Sequence, residues 1–522
     1  MTPEALRAAL LSRDELALLD VREQGVHYRG HPFFACSLPL SRLETRVADL
    51  VPRKDAPMVL LDGGGEGLAE RAQRRLEELG YTRVDLLDGG CAAWKASGGE
   101  LFSGVNVPSK AFGEFVEHHY GTPRVPPAEL KRLVESGRRL VILDSRPWEE
   151  YHRMNIPGGI DVPGAELVYR TPDLAPDAET LVVVNCAGRT RSIIGCQSLR
   201  NAGWKDVVAL KDGTMGWELA GLECERGSAR VAAPPGPAGR DRARAAAAQV
   251  AERFQVKFAR HGDVRAWLAE PARTTYLLDV RSREEYEAGH LEGARHAPGG
   301  QLVQATDEYV GVRNARVVLV DPERVRSVMT ASWLNQMGWE HVHVLEPDAG
   351  DWPTERGARV MDVPGFERWA TLGAQELARG RCTVLDLSTS LRYRARHVPG
   401  AWWGVRSRLA EARVKMADAS ELVLTSEDGL LAHLAAPEAA ALWPHARVQV
   451  LEGGNRAWFA ENLPSESGFT RLTTANDDVW YKPYDHEHES DYEKHARAYL
   501  DWEVALVDQI KRDPAIRFRA YD

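Results

Sequence analysis

Cys186 is followed by Ala187, Gly188, Arg189, Thr190 and Arg191, and the stretch "VVVNCAGRTRSIIG" carries it from an apolar run into a helical pattern. A thiol becomes a good nucleophile as the thiolate, which nearby cations and helix N-termini favour. Here Arg189 and Arg191 lie within five residues of the sulfur, and "SIIGCQSLRNAG" predicts a helix that aims free N–H groups at it. Gly188 lets the backbone curl into a cradle of amides suited to a bound anion. Cys186 is therefore the candidate nucleophile, and Ala187 to Arg191 the candidate anion-binding loop. Arg191 is expected to position the anion and Arg189 to add attraction at the mouth. The other cysteines, Cys36, Cys91, Cys196, Cys224 and Cys382, have no such setting and read as small buried apolar residues. None forms a C-x-x-C pair, and ten residues of helix, about 15 Å, separate Cys196 from Cys186. Neither a zinc site nor a resolving disulfide is expected.

The elements that hold this loop recur along the chain. Four apolar runs end in an aspartate, at Asp20, Asp144, Asp279 and Asp386, and three continue as D-x-R through Arg22, Arg146 and Arg281, with Ser388 in the fourth. A second apolar run stops at Asp62, Cys186, Asp321 and Ser426, which lie 42, 42, 42 and 40 residues further on. A tryptophan closes each unit at Trp94, Trp217, Trp352 and Trp458. A period repeated so closely marks an internal repeat. Apolar strands without alternation, separated by helical segments, imply parallel sheets covered on both faces, so each unit is expected to be a three-layer α/β/α domain. Ligands of such sheets bind beyond the carboxyl ends of the strands, where Cys186 falls. Asp144 and Arg146 are read as an ion pair supporting the site.

These residues resemble the rhodanese sulfurtransferases, specifically the multi-repeat bacterial thiosulfate sulfurtransferases. The likeness rests on the D-x-R elements, "EEYEAGHLEGARHAPG" at 284–299 and its echo "EEYHRMNIPGGIDVPG" at 149–164, the loop "CAGRTR", and the closing "LLDGGCAAW" and "VLEGGNRAW". It implies four tandem rhodanese-like domains, at 1–105, 120–227, 246–360 and 361–466, followed by a partly helical tail at 467–522. It also implies a cysteine that takes sulfane sulfur from a donor such as thiosulfate, becomes a persulfide and passes the sulfur on without a cofactor. Asp62, Asp321 and Ser426 are poor sulfur acceptors, so the first, third and fourth domains are expected to be inactive and to wall the active cleft.

A cysteine-dependent phosphatase or arsenate reductase would also use a thiol, an anion cradle and an arginine, but four residues, Ala187 to Thr190, separate Cys186 from Arg191 where those phosphatases have five. A non-catalytic scaffold is favoured by the three degenerate loops and opposed by the intact one. Expected partners are a small sulfur donor and an acceptor, cyanide, a thiol or a sulfur-carrier protein.

A chain of 522 residues with 44% hydrophobic and 27% charged residues reads as several soluble domains, and a net charge of −10 gives no reason to expect nucleic acid or a membrane surface. No apolar run is long enough to span a bilayer, so a cytoplasmic location is expected. The stretch 228–249, rich in Pro, Ala and Gly, reads as a linker between two pairs of sequential domains. His486, His488 and His495 read as solvated loop residues rather than metal ligands. The tail's aromatics, Trp480, Tyr481, Tyr484, Tyr492, Tyr499 and Trp502, are too numerous for a solvated extension and are expected to be buried on the repeats or at the interface of a homodimer.

Overall fold

The computed structural model describes residues 1–347, 352–486 and 491–521. Each of the four repeats builds one sheet around two neighbouring parallel strands, the first ending in the recurrent aspartate and the second at the loop position. These pairs are β1 (Leu16–Asp20) with β2 (Met58–Leu61), β3 (Leu140–Asp144) with β4 (Leu181–Asn185), β5 (Thr275–Asp279) with β6 (Arg316–Val320), and β7 (Thr383–Asp386) with β8 (Glu421–Thr425). Their side chains are buried almost throughout, as the unbroken apolar runs require of strands covered on both faces.

The second unit runs Arg124–Val125, Val207–Leu210, β4, β3, Ile160–Asp161, all parallel. The third and fourth repeat this order with five strands each. In the first, the outer edge of β1 is shared: Cys36–Ser37 pairs with its C-terminal half and Val312–Arg313, from the third unit, runs antiparallel to its N-terminal half. In register, Asp144 stands opposite Asn185, so that Asp144 and Cys186 emerge side by side at the carboxyl ends of β3 and β4.

Six helices place the units and the site: α1 (Val107–Tyr120), α2 (Glu166–Leu174), α3 (Thr190–Asn201), α4 (Pro237–Arg253), α5 (Val325–Gln336) and α6 (Tyr492–Ile510). The predicted linker at 228–249 is largely α4, which starts at Pro237 after Gly236 and buries Ala243, Ala246, Ala247 and Val250 between α2 and α5. A boundary at 246 falls inside this helix. Alanine pays little side-chain entropy in a helix and lets neighbouring backbones approach closely, so an Ala-rich stretch can serve as a spacer between two packed helices. The expected pairing of sequential units is also corrected. The second unit packs on the third through the buried Arg326, which meets Glu166 at 3.1 Å and Asp321 at 3.0 Å, and through Trp333 Nε1, which donates to Ser198 Oγ at 2.9 Å. The first packs on the fourth through Arg406, 2.7 Å from Glu44, and through Ser407, whose hydroxyl donates to Glu23.

Candidate active site

The site begins with the strand ends. Arg146 donates to Asp144 at 2.9 and 2.7 Å and to the Met154 carbonyl, closing the segment that follows β3. Arg22 and Arg281 make the same pair with Asp20 and Asp279 and reach the Gly30 and Gly289 carbonyls, so this clamp is common to three units. Asn185 Nδ2, one residue before the thiol, donates to Asp144 at 2.8 Å and to Thr214 Oγ1 at 3.1 Å. Thr214 and Met215 in turn donate their amides to the Cys186 and Ala187 carbonyls. The Cys186 backbone is thus held from both sides.

Cys186 itself is 2% exposed, and its thiol donates to Ser192 Oγ at 3.5 Å. Burial pushes the Cys91, Cys196 and Cys224 thiols up to about 12, and Cys36 higher still, so none of these competes as a thiolate near neutral pH. Gly188 has a packing reason rather than the expected conformational one. Its φ is not left-handed, but a Cβ there would stand 2.9 Å from Met215 Cε and 3.3 Å from Glu503 Oε2.

The four loops differ in what fills them. In the first unit the buried Asp62 carboxylate accepts from the amides of Gly64, Leu68 and Ala69 at 2.8 to 3.3 Å. In the third, Asp321 accepts from the amides of Glu323, Arg326 and Ser327. These loops carry their own anion. Where Cys186 replaces the aspartate, the amides of Gly188, Arg191 and Ser192 donate to no group among the described residues. In the fourth, Ser426 Oγ accepts from Ala432 N at 3.4 Å.

The two loop arginines are more fully engaged than their spacing suggests. Arg189 turns away from the thiol into three carboxylates, Glu114 at 2.6 Å, Glu117 at 2.6 Å and Asp212 at 3.0 Å, and is 6% exposed. The expectation that it attracts an anion at the mouth is therefore corrected: it anchors the loop to α1. Arg191 forms a bidentate pair with Glu150, at 3.1 and 2.8 Å. Burial alone would raise the Glu150 carboxyl, but the charge and hydrogen bonds of Arg191 outweigh it and hold Glu150 well below the usual carboxylate range.

Two elements outside the repeat complete the site. From α1 the buried Lys110, 8% exposed, brings its ammonium to 3.7 Å from Glu503, and Gly113 lies against Thr190. From the tail, Tyr484 donates to the Ala187 carbonyl at 2.9 Å, and Glu503 on α6 accepts from Thr190 Oγ1 and Tyr499 OH, both at 3.0 Å. A cavity of about 410 Å³ adjoins them, walled by Arg146 and Glu150, by Asn106 before α1, by Thr389 of the fourth unit, and by Lys482 and Tyr484. The sequence showed the tail's aromatics but held no sign of where they dock, and Lys110 carried no motif at all. Among the described residues no group of three or more His, Cys, Asp or Glu side chains could hold a metal; His486 stacks on His495, and His488 lies outside the described residues.

The Rhodanese-like domain family matches residues 2–97, 126–220 and 261–353. The chain belongs to the rhodanese family. Over its full length it is 48% identical to the thiosulfate sulfurtransferase of Pseudomonas aeruginosa, whose crystal structure it superposes on with a TM-score of 0.95, covering 99% of that chain. A stretch of 101 residues is 37% identical to the HTH-type transcriptional regulator Rv0324 of Mycobacterium tuberculosis, and spans 44% of that regulator's length and 19% of this chain. The three rhodanese matches cover the first three units, and the fourth unit repeats the strand order of the second and third. No described helix is long and apolar enough to cross a membrane.

Proposed function

We propose that this rhodanese is a thiosulfate sulfurtransferase with one catalytic unit, at 120–227, in which Cys186 carries the sulfur. The Cys186 thiolate attacks the outer sulfur of thiosulfate. An S–S bond forms to Sγ while the donor's own S–S bond breaks, and its electron pair leaves with sulfite. The persulfide is anionic, and an acceptor nucleophile such as cyanide or a thiolate then attacks its outer sulfur and returns the electron pair to Sγ. Both half-reactions place negative charge at the loop. The observation that carries this reading is the contrast among the loops, since two units satisfy the cradle with a buried aspartate and the unit with a thiol leaves those amides to an anion from outside. The likeness to the Pseudomonas enzyme over the whole chain supports the same reading. A reducing cytoplasm would keep such a thiol free.

The units at 1–105, 246–360 and 361–466 serve in this reading as walls, with the tail at 467–522 closing the site. Thiosulfate treatment should add one sulfur, about 32 Da, to Cys186 by intact mass and peptide mapping. Cys186→Ser should abolish thiosulfate:cyanide transfer without changing the melting curve, because the side chain is nearly isosteric. Cys382→Ser should stay near wild type. Persulfide on another cysteine, or phosphatase turnover in place of sulfur transfer, would overturn the assignment.

A further inference from the structure

The charges around Cys186 leave a donor anion without an evident side-chain partner in the loop. Arg189 is spent on three carboxylates, and Arg191 is tied by two hydrogen bonds to Glu150. Lys110 is differently placed. Its ammonium donates no hydrogen bond among the described residues, and its single carboxylate neighbour, Glu503 Oε1, stands at 3.7 Å, a contact of charge alone. That same oxygen takes the Thr190 hydroxyl, so Lys110 sits one contact from the catalytic loop. One turn further along α1, a Cβ at Gly113 would come within 3.0 Å of Thr190 Cγ2, which fixes the approach of this helix. Burial, helped by the charge of Arg191, lowers the Lys110 pKa, and the charges of Glu503, Cys186 and Glu150 only partly offset it.

Glu503 is 1% exposed, and its Oε2 has no hydrogen-bond partner although it stands near Gly188. A buried carboxylate oxygen left unpaired is costly. Asp62 and Asp321 fill the cradles of the first and third units from within the loop, whereas Glu503 accepts from no loop amide among the described residues and meets the loop through the Thr190 hydroxyl.

We propose that Lys110 is a donor-binding residue of the sulfur transfer site, and that Glu503, brought by the C-terminal helix, is a placeholder anion that the donor displaces from it. This rests on the activity assigned above. The sulfonate end of the donor pairs with the Lys110 ammonium while the outer sulfur faces Cys186. The site thereby selects dianionic donors over neutral ones. Neither residue lies in the repeat, so the selectivity is supplied by an interdomain helix and the tail.

The test is a comparison of steady-state kinetics for thiosulfate and for a neutral dialkyl trisulfide, using the full-length protein. Lys110→Met should raise the thiosulfate KM by about ten- to a hundredfold, the range expected on losing a charged hydrogen bond, and leave the trisulfide KM within about twofold. Lys110→Arg should recover most of the thiosulfate affinity. Glu503→Gln keeps an acceptor for Thr190 and Tyr499 but removes the competing charge, and should lower the thiosulfate KM about threefold or more. An unchanged thiosulfate KM in folded Lys110→Met, or an equal loss for both donors, overturns the proposal. If Lys110→Met does not fold, Glu503→Gln decides it alone, and an unchanged or raised KM overturns it. Failure of the wild-type protein to take up sulfur on Cys186 would instead overturn the activity reading, and this assignment with it.

Discussion

At the level of single residues, the chemistry of this site is set by which charges are already spent. The candidate nucleophile stands out in the sequence because a glycine and two arginines follow the thiol, and the Asp144–Arg146 clamp because it recurs as D-x-R. The fate of Arg189 was not legible, since Glu114 and Glu117 lie over seventy residues away with nothing in the sequence to tie them to it. Removing this arginine leaves three carboxylates facing one another in a buried place. Arg189→Ala should therefore destabilise the protein by about 3 to 5 kcal/mol and abolish activity by loosening the loop, whereas a mere mouth residue would change donor affinity alone. Denaturant unfolding beside thiosulfate titration separates the two.

A second residue-level consequence concerns pH. Asp161 stands opposite Asp144 in the sheet, and its Oδ1 is buried without a partner. Burial, helped by the Asp144 charge and opposed by Arg146, raises its pKa to about 7. The folded state then binds a proton more tightly than the unfolded chain, so this group's stabilisation is complete below about pH 4 and is lost as pH rises to about 7. The loss amounts to at most about 4 kcal/mol. Asp161→Asn should melt higher than wild type at pH 8 and show little difference at pH 4. An equal shift at both pH values would refute the buried-acid reading.

At the level of elements, the strands and their order followed from runs of apolar residues ending in a fixed polar one. The helix α4 did not. Its buried positions 243, 246, 247 and 250 have helical spacing, but residues 245 to 248 are all alanine, so the buried and exposed faces look alike and Pro and Gly just upstream suggest a linker. Ala247, 2% exposed, faces the helices on either side, while Ala248 faces solvent. Ala247→Asp should bury an unpaired carboxylate, cost about 3 kcal/mol or more and open 237–253 to protease. Ala248→Asp should remain resistant. Wild-type protein cut first inside this segment would contradict its role as a packed spacer.

At the level of the whole molecule, the unit with the thiol does not own its active site. The cavity beside the loop is walled by residues of all four units and of the tail, and the contacts that bring the tail to the loop span some three hundred residues, as between Tyr484 and Ala187 or Thr190 and Glu503. No periodicity announces such contacts, which is why the repeat could be read from the sequence while the packing of its units could not. The three units without a loop thiol each keep that loop folded around an internal group. If the tail is a wall of the site, removing residues 470–522 should expose Cys186, so that iodoacetamide modifies it at least about tenfold faster while kcat/KM for thiosulfate falls. Because Leu506 and Ala496 are buried, the truncation should also lower the melting temperature, and Tyr484→Phe isolates the local effect. That substitution removes one hydrogen bond to the loop, worth about 1 kcal/mol, and should lower kcat/KM severalfold with the melting curve unchanged. Unaltered alkylation and kinetics in both variants would reduce the tail to a structural strap, and would leave the four units sufficient for whatever the thiol does.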